Sequence, residues 1–375
     1  MNLPDPVHIE LPDARGYAVQ FAPLATLPEH LGRVGLATGP CLVVTDSNVA
    51  RLHLGALTLA LENAGWRPRA RVLPAGESTK SVRDLSSIYD WALRPPAGEQ
   101  PVDRSTPLLA LGGGVIGDLA GFAAATLLRG LPLVHLPTTL LAMVDSAIGG
   151  KTGINHAAGK NLIGAIHQPR LVLADLEILN SLPDREWTSG LAEVVKAGLI
   201  ADATFIDWLE EHWDALIARQ PGPAGEMVRR AVAIKAAVVA EDEREQARRA
   251  ILNFGHTFAH AIERVTGYAH FTHGEAVTLG MRAATYLSFR LDPSIPLPRI
   301  DALLARLPVP PGMADLNVDD LADAMLQDKK RTSAGIRFVV LEALGDARLA
   351  ADVDPALVQA AWAFVRGAAR SGARS

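Results

Sequence analysis

The sequence predicts an α/β domain followed by an all-α domain. In the first half, short apolar runs rich in Val and Leu alternate with helical patterns, and after Leu182-Pro183 the strand signals almost stop while long helical patterns continue. Alternating strands and helices are typical of a parallel sheet with crossover helices. A chain of 375 residues is also long enough for two cores. We therefore expect domains at 1–183 and 184–375.

The apolar and helical patterns give each domain its elements in order. The predicted strands of the first domain are CLVV (41–44), ARVL (70–73), PLLAL (107–111) and LPLVHL (131–136), with helices at 54–64, 81–93 and 118–128 and a surface loop at 94–106. The second domain has predicted helices at 189–200, 204–218, 226–242, 253–265 and 274–289, and a late strand pair at 335–341 and 347–351.

Composition excludes several classes of protein. A net charge of −5 gives no overall basic field for nucleic acid or an anionic membrane. The single cysteine, Cys41, allows no internal disulfide and no Cys-based zinc site. The acidic, proline-broken N-terminal residues do not resemble a signal peptide, and the longest apolar stretches are too short to span a membrane. We expect a soluble cytoplasmic protein.

A glycine-rich turn follows the third predicted strand. Gly112, Gly114 and Gly117 match G-x-G-x-x-G between a strand and a helix, a context that suits a pyrophosphate at a helix N-terminus. The acidic residue expected about twenty positions on is missing, because the next carboxylate after Asp118 is Asp145. This departure argues against a standard Rossmann domain.

Polar residues follow the other strands at the same edge of the sheet. They are Asp46 and Asn48 after the first strand, Glu77 and Lys80 after the second, and Thr138 and Thr139 after the fourth. Each alone is better explained as a turn or cap residue. Together they predict a dinucleotide site, because parallel sheets bind ligands at the carboxyl ends of their strands.

The segment GGKTGINHAAGKNLIG (149–164) holds five glycines and two lysines. A Walker A loop does not fit, because Asp145 stands where its first glycine is required and Lys160 is followed by Asn. Only seven of the 36 basic residues are lysines. We therefore interpret Lys151 and Lys160 as compact charges aimed at phosphate or carboxylate oxygens.

Three histidines predict a metal site in the helical domain. His256 and His260 are four residues apart on one helical face, and His273 opens the next predicted helix. Position 257 is Thr, so this is not the H-E-x-x-H pattern of zinc peptidases. Isolated helical histidines are usually structural, but these three lie close to Asn253 and Glu275. We expect at least His256 and His273 to hold a divalent ion.

Several charged residues occur in otherwise apolar helices. Glu193 and Lys196, three residues apart, form either a surface ion pair or a pair that points into a cleft. Lys235, Arg249 and the DKK at 328–330 would add cations to the same cleft, or lie on solvated faces.

Taken in order, these motifs resemble the sugar-phosphate cyclase family, and within it the dehydroquinate synthases. The blocks that carry the resemblance are GGGVIGDLAGF, LPTTLLAMVDSAIGGKTGIN, GKNLIGA, AEVVKAGLI, LNFGHTFAHAIE, HGEAV and DKK. The resemblance implies an NAD-binding α/β domain, a helical domain with Zn²⁺ or Co²⁺, an active cleft between them, a homodimer, and a fold similar to iron-dependent alcohol dehydrogenases.

The resemblance also assigns roles to residues. The implied metal ligands are Glu193, His256 and His273, and Glu193 rests on the resemblance alone. The implied catalytic and substrate residues are His260, Lys151, Lys196, Asn161, Asp145, Lys235, Arg249, Asn253, Lys330 and, across a dimer interface, Arg129. The implied NAD contacts are Asp46, Asn48, Glu77, Lys80, Gly113, Gly114, Val115, Asp118, Thr138, Thr139, Lys151, Lys160 and Ser181.

The implied reaction belongs to the shikimate pathway of aromatic amino-acid biosynthesis. It converts 3-deoxy-D-arabino-heptulosonate 7-phosphate into 3-dehydroquinate and phosphate, by transient oxidation with NAD, phosphate elimination, reduction and an intramolecular aldol step. Three alternatives remain: a cyclase for sedoheptulose 7-phosphate, which lacks the carboxylate, an NAD-dependent polyol dehydrogenase, and a silent scaffold protein that has lost its ligands.

Overall fold

The computed structural model describes residues 3–13, 15–329 and 336–372. Its strands are β1 (Val7–Ile9), β2 (Tyr17–Phe21), β3 (Pro40–Asp46), β4 (Arg67–Leu73), β5 (Leu108–Gly112), β6 (Leu133–Pro137), β7 (Lys151–His156), β8 (Gly159–Ile166), β9 (Leu171–Ala174), β10 (Phe338–Ala343) and β11 (Asp346–Ala350). Its helices are α1 (Leu27–Arg33), α2 (Ser47–Val49), α3 (Gly55–Asn63), α4 (Val82–Leu93), α5 (Gly114–Thr126), α6 (Asp184–Ala201), α7 (Ala203–Ile217), α8 (Pro221–Glu241), α9 (His256–Val265), α10 (His273–Leu291), α11 (Leu297–Leu304), α12 (Val318–Lys329) and α13 (Pro355–Gly372). Within the described residues, no helix is long and apolar enough to cross a membrane.

The chain forms two compact units. Unit 1 consists of Met1–Pro183 and Arg219–Arg244, and unit 2 consists of Asp184–Ala218 and Glu245–Ser375. Helix α8 therefore belongs to the α/β unit, although the sequence prediction placed it with the helical residues 184–375. Its amphipathic pattern predicts a helix but does not identify the unit against which the helix packs.

Unit 1 is built on a seven-stranded sheet in the order β1-β2-β9-β6-β5-β3-β4. All neighbouring strands run parallel except β1 and β2, which pair antiparallel. Along β3, Cys41 and Val43 enter the core on one face of the sheet, and Leu42 and Val44 enter the core on the other. Burial on both faces explains the continuous apolar runs in the sequence.

Residues 151–166, whose two lysines were interpreted as charges aimed at anionic oxygens, form a hairpin in which β7 and β8 pair antiparallel. A Cβ at Gly164 would lie 2.1 Å from the Thr152 carbonyl oxygen, and one at Gly153 would lie 2.6 Å from the Ile163 carbonyl oxygen. The glycines thus permit two backbones to approach closely. Glycine content alone does not distinguish this arrangement from a loop around an anion.

Unit 2 is helical apart from the hairpin of β10 and β11, whose strands pair antiparallel. The late strand pair predicted from the sequence is thereby confirmed. Helix α9 begins at His256 rather than at the predicted Asn253, because Gly255 adopts φ +80° and interrupts the helical backbone. A Cβ at that position would also lie 2.7 Å from the Met281 backbone nitrogen of α10. The glycine therefore allows the start of α9 to pack directly against α10.

Candidate active site

The glycine turn of unit 1 connects β5 to α5. Helix α5 begins at Gly114, four residues before the predicted start, and its N-cap residue, Gly113, has no side chain to cap the helix. A Cβ at Gly112 would lie 2.7 Å from Ile116 Cβ, and Cβ atoms at Gly113 and Gly114 would meet Thr139 and Ser146, each at 3.0 Å. Side chains in this turn would therefore force Ile116, Thr139 or Ser146 to shift, and the N–H groups at the start of α5 suit an anion.

Lys80 connects the glycine-turn helix to the hairpin. Its Nζ donates to Asp118 Oδ2 at 2.6 Å and to Asn161 Oδ1 at 2.5 Å, and Lys80 is only 5% exposed. Burial raises the pKa of Asp118, and the Lys80 ammonium opposes that rise. Three residues that the resemblance assigned to the site are thus in direct contact.

A second set of bonds joins the short turn after β4 to the same hairpin. Glu77 Oε1 accepts from Asn155 Nδ2 at 2.7 Å, and Asn155 Oδ1 accepts from the Asn161 backbone N–H at 3.0 Å. Asn161 adopts φ +55°, a conformation that these bonds stabilise. The predicted residues Glu77, Lys80, Asp118 and Asn161 therefore form one polar network.

Several other predicted cofactor residues also have local structural roles. Asp46 caps α2 by accepting from the N–H groups of Asn48 at 2.8 Å and Val49 at 3.1 Å. The Thr139 hydroxyl accepts from the Ala142 N–H at 3.1 Å. The turn-or-cap interpretation is correct for these two residues, and it leaves their ligand role a prediction.

The remaining predicted cofactor residues lie nearby in sequence or at other strand ends. Thr138 is buried at the end of β6, and Val115 lies in the first turn of α5. The Ser181 hydroxyl is 3.2 Å from His53 Nε2. Lys160 lies in β8 and is half-buried.

The residues predicted to bind substrate anions divide between the two units. In unit 1, Asp145 and Lys235 form an ion pair, which places α8 against the π-helical turn 142–146. Lys151 is exposed at the start of β7. Arg129 is exposed and follows Leu128 in an uncommon positive-φ pair, at φ +50° and +66°.

The three predicted metal ligands of unit 2 lie together as a cluster of side chains. Glu193 of α6, His256 of α9 and His273 of α10 each offer one ligand atom, and these atoms lie within 4.8 Å of one another. Glu193 Oε1 is 3.8 Å from His256 Nε2 and 3.6 Å from His273 Nε2. One carboxylate and two imidazoles form a donor set that suits Zn²⁺ or Co²⁺ and leaves coordination positions open.

The charges in this cluster are strongly coupled. Burial alone would raise the pKa of Glu193, but the Lys196 ammonium and the two imidazoles together lower it well below its ordinary value. Burial lowers the pKa of His256 to about 3, and Lys196 contributes to that shift. The pKa of His273 is raised to about 10, because hydrogen bonds to Glu193 and Glu263 outweigh burial. The carboxylate is thus kept ionised, as a metal ligand must be.

The other predicted residues of unit 2 lie around this cluster or along the adjoining segment. Lys196 is 3% exposed and forms an ion pair with Glu193, which excludes the surface-pair interpretation. The His260 ring meets the His256 ring edge-on at 5.7 Å between centroids. Arg249 is 1% exposed, and Asn253 Nδ2 donates to Glu245 Oε1 at 3.0 Å. Lys330 lies outside the described residues.

Contacts that sequence reasoning missed hold the start of α10, and therefore His273, against α6. Arg185 donates to both carboxylate oxygens of Glu275 at 2.7 Å, and Glu275 forms a capping box with Thr272. The Gly274 N–H donates to Ser189 Oγ at 3.1 Å, and a Cβ at Gly274 would overlap the Ser189 backbone. Only the T-H-G-E spacing of the capping box is visible in the sequence.

Unit 1 contains a similar anchor. The Tyr17 hydroxyl accepts from the buried Gly149 N–H at 2.9 Å and so fixes the Gly-Gly turn that precedes Lys151. Tyr17 lies in β2, a strand that was not predicted, and the two residues are far apart in sequence. No local pattern indicates such a contact.

Comparison with known proteins agrees with this geometry. Family models described as 3-dehydroquinate synthase N-terminal and C-terminal match residues 70–189 and 190–331. A 3-dehydroquinate synthase from Salinibacter ruber is 54% identical over 363 residues, which cover 96% of this chain and 97% of the relative.

Solved structures give the same result at the level of the fold. A 2-epi-5-epi-valiolone synthase from Streptomyces hygroscopicus, with NAD⁺ and Zn²⁺ bound, aligns with a TM-score of 0.83 and 30% identity over 94% of this chain and 97% of that chain. A 2-deoxy-scyllo-inosose synthase, with carbaglucose-6-phosphate, NAD⁺ and Co²⁺, aligns with a TM-score of 0.84 and 25% identity over 97% of this chain and 100% of that chain.

The iron-containing alcohol dehydrogenase of Thermotoga maritima shares the fold alone, with a TM-score of 0.62 and 14% identity over 93% of this chain and 97% of that chain. The predicted similarity to this class of dehydrogenase is confirmed. From the two family models and the extended identity with its relatives, the chain belongs to the 3-dehydroquinate synthase family.

Proposed function

We propose that the chain is a 3-dehydroquinate synthase, which converts 3-deoxy-D-arabino-heptulosonate 7-phosphate into 3-dehydroquinate and phosphate. The observation that carries this proposal is the cluster of Glu193, His256 and His273 in a chain that is 54% identical, over nearly its whole length, to a relative of that name. The activity places the enzyme in the shikimate pathway.

The proposed cofactors are NAD and one divalent ion, Zn²⁺ or Co²⁺. Glu193, His256 and His273 would hold the ion, and the uncapped start of α5 with its glycine turn would hold the NAD pyrophosphate. When bound, the ion acts as a Lewis acid on a substrate hydroxyl and NAD accepts and returns a hydride. Of the solved structures named above, the 2-epi-5-epi-valiolone synthase contains NAD⁺ and Zn²⁺ and the 2-deoxy-scyllo-inosose synthase contains NAD⁺ and Co²⁺.

The residues of each unit have separate roles in this proposal. In unit 1, Lys80 holds Asp118 and Asn161 in fixed positions, so the glycine turn and the hairpin present their ligand groups together. In unit 2, the Lys196 ammonium keeps the Glu193 carboxylate ionised, and His260 stands one helical turn from His256, where it is exposed and able to exchange a proton. Lys151, Lys235, Arg249, Asn253, Lys330 and Arg129 supply charge and hydrogen bonds to the substrate's anionic groups.

The carboxylate of the substrate distinguishes the proposed reaction from its nearest rival. A cyclase acting on sedoheptulose 7-phosphate has one anionic group fewer to bind, and it needs fewer cations. The chain retains Lys235, Arg249, Asn253, His260 and Lys330, which favours the carboxylated sugar. A homodimeric assembly and a cytoplasmic location are further parts of the proposal.

A paired substrate assay tests this function. Purified protein is incubated with NAD⁺, Zn²⁺ and either heptulose phosphate, and both phosphate release and cyclised product are measured. We expect turnover of 3-deoxy-D-arabino-heptulosonate 7-phosphate alone. Turnover of sedoheptulose 7-phosphate instead would assign the chain to the rival reaction, and turnover of neither, with no NAD or zinc bound, would support a scaffold role.

A further inference from the structure

The two histidines of the metal cluster are oriented by different kinds of oxygen. Each directs its Nε2 toward Glu193 Oε1, at 3.8 Å for His256 and 3.6 Å for His273. The other ring nitrogen, Nδ1, lies 3.3 Å from the Phe254 carbonyl in His256 and 3.5 Å from Glu263 Oε1 in His273. One imidazole is therefore oriented by backbone and the other by a carboxylate.

Glu263 is well placed to fix the ring of His273. It is 4% exposed, and it lies on α9 seven residues after His256, on the same helical face as His256 and His260. Its carbonyl oxygen accepts from the Tyr268 N–H at 2.7 Å, which anchors its backbone at the end of α9. The contact with His273 thus joins α9 directly to the ligand carried by α10.

A carboxylate that accepts from Nδ1–H leaves the Nε2 lone pair free for a metal and makes that nitrogen a better donor. The start of α10 is already fixed by Arg185, Thr272 and Glu275, but those contacts hold the backbone and leave the ring of His273 free to rotate about its side-chain bonds. Glu263 is the described group that faces the ring's second nitrogen.

We propose that Glu263 is a positioning residue for metal binding, which orients the imidazole of His273 from outside the ligand set. The proposal rests on the metal site of the proposed function. It gives the three buried carboxylates near the site different roles, because Glu193 is a ligand, Glu263 orients a ligand, and Glu275 caps the helix that carries it.

The affinity of the full-length protein for Zn²⁺ and Co²⁺, measured by chelator competition without NAD or substrate, tests this proposal. We expect Glu263→Gln to weaken metal binding about 10- to 100-fold, the range found for groups that orient metal-bound histidines. The matched control is Glu275→Gln, which neutralises an equally buried carboxylate that does not face the His273 ring. We expect that control to lower the unfolding temperature and to change metal affinity less than Glu263→Gln does.

A double-mutant cycle distinguishes orientation from general loss of structure. Because Glu263 acts through His273, adding Glu263→Gln to His273→Ala should cost no further metal affinity. Equal affinity of Glu263→Gln and wild type, or a full additive loss in the double variant, would overturn the proposal while leaving the proposed function intact. If the wild-type protein bound no metal at this cluster, both would fail.

Discussion

The glycine turn of unit 1 and the metal cluster of unit 2 achieve specificity by opposite means. At the turn, a Cβ at any of three positions would force Ile116, Thr139 or Ser146 to shift. At the cluster, charge is concentrated in a buried place, with Glu193 at 2% and Lys196 at 3% exposure. Steric fit therefore governs the glycine turn, and electrostatics governs the metal cluster. The turn should be sensitive to a change in side-chain size, and the cluster to a change in charge.

The largest expected effect is that of Glu193→Gln. The change is nearly isosteric, so a region governed by shape would tolerate it, but it removes the charge of a proposed ligand and breaks that residue's ion pair with Lys196. Breaking a buried pair in this way costs about 3–5 kcal/mol of unfolding free energy. We expect loss of bound metal and of turnover, measured as metal per chain after dialysis and as initial rate. Retention of both would show that charge does not govern this region.

The reverse substitution tests the glycine turn. Gly112→Ala adds one neutral methyl group that would lie 2.7 Å from Ile116 Cβ, and overpacking of this kind costs about 1–3 kcal/mol. We expect weaker NAD binding in a calorimetric titration, with metal affinity unchanged. Gly32→Ala is the control, because a Cβ at Gly32 in α1 meets nothing within 4 Å. Equal NAD affinity in both variants would contradict the steric account of the turn.

Lys80→Met sharpens the comparison, because it removes a buried charge from unit 1. Asp118 and Asn161 would lose the ammonium from which both accept, and Asp118 would lose its ion-pair partner. The pKa of Asp118, already raised by burial, should rise further. We expect the variant to bind NAD more weakly than wild type does. Its NAD affinity, unlike that of wild type, should increase as pH rises through the raised pKa of Asp118. An NAD affinity that matched wild type at every pH would show that the network does not position the cofactor site.

The smallest effect concerns a buried histidine behind the glycine turn. His135 lies beside Gly117, and burial lowers its pKa from 6.5 to about 4. The unfolded chain then binds the proton more readily, so this group stabilises unit 1 fully above pH 6.5 and loses that contribution as pH falls toward 4. We expect His135→Gln to flatten the dependence of unfolding temperature on pH in this interval. If the slope of unfolding temperature against pH were unchanged, groups other than His135 would be responsible for the loss of stability in acid.

The kind of pattern that each element leaves in the sequence explains which strands could be predicted. Strands β3, β5 and β6 were predictable, because burial on both faces makes them continuous apolar runs. The edge strand β4 is mostly exposed, and only its last four residues were predicted. Strands β1 and β9 have only three and four residues, too short for a periodic signal. The β7–β8 hairpin was not predicted, because its glycines obscure the strand pattern. In the structure these glycines allow the two strand backbones to approach each other closely.

At the site, the motif residues were predictable from the sequence, but the residues that hold them in position were not. His256 and His260 lie on one helix, so their spacing alone indicates a shared face. Glu193 was predicted as a ligand only from the resemblance. Helices α6 and α10 meet through contacts such as that of Gly274 with Ser189, which depend on the tertiary fold and not on sequence spacing. Tyr17 and Arg185 act over long sequence separations, and Glu263 contacts His273 on the next helix, so none of the three contacts leaves a local pattern.

Anomalous diffraction at the zinc absorption edge, on crystals of the zinc-loaded protein, tests the central claim most directly. The account predicts one strong peak per chain within bonding distance of Glu193, His256 and His273, and no such peak in Glu193→Gln crystals grown under the same conditions. A peak held by other residues, or a peak that persists in the Glu193→Gln protein, would contradict it.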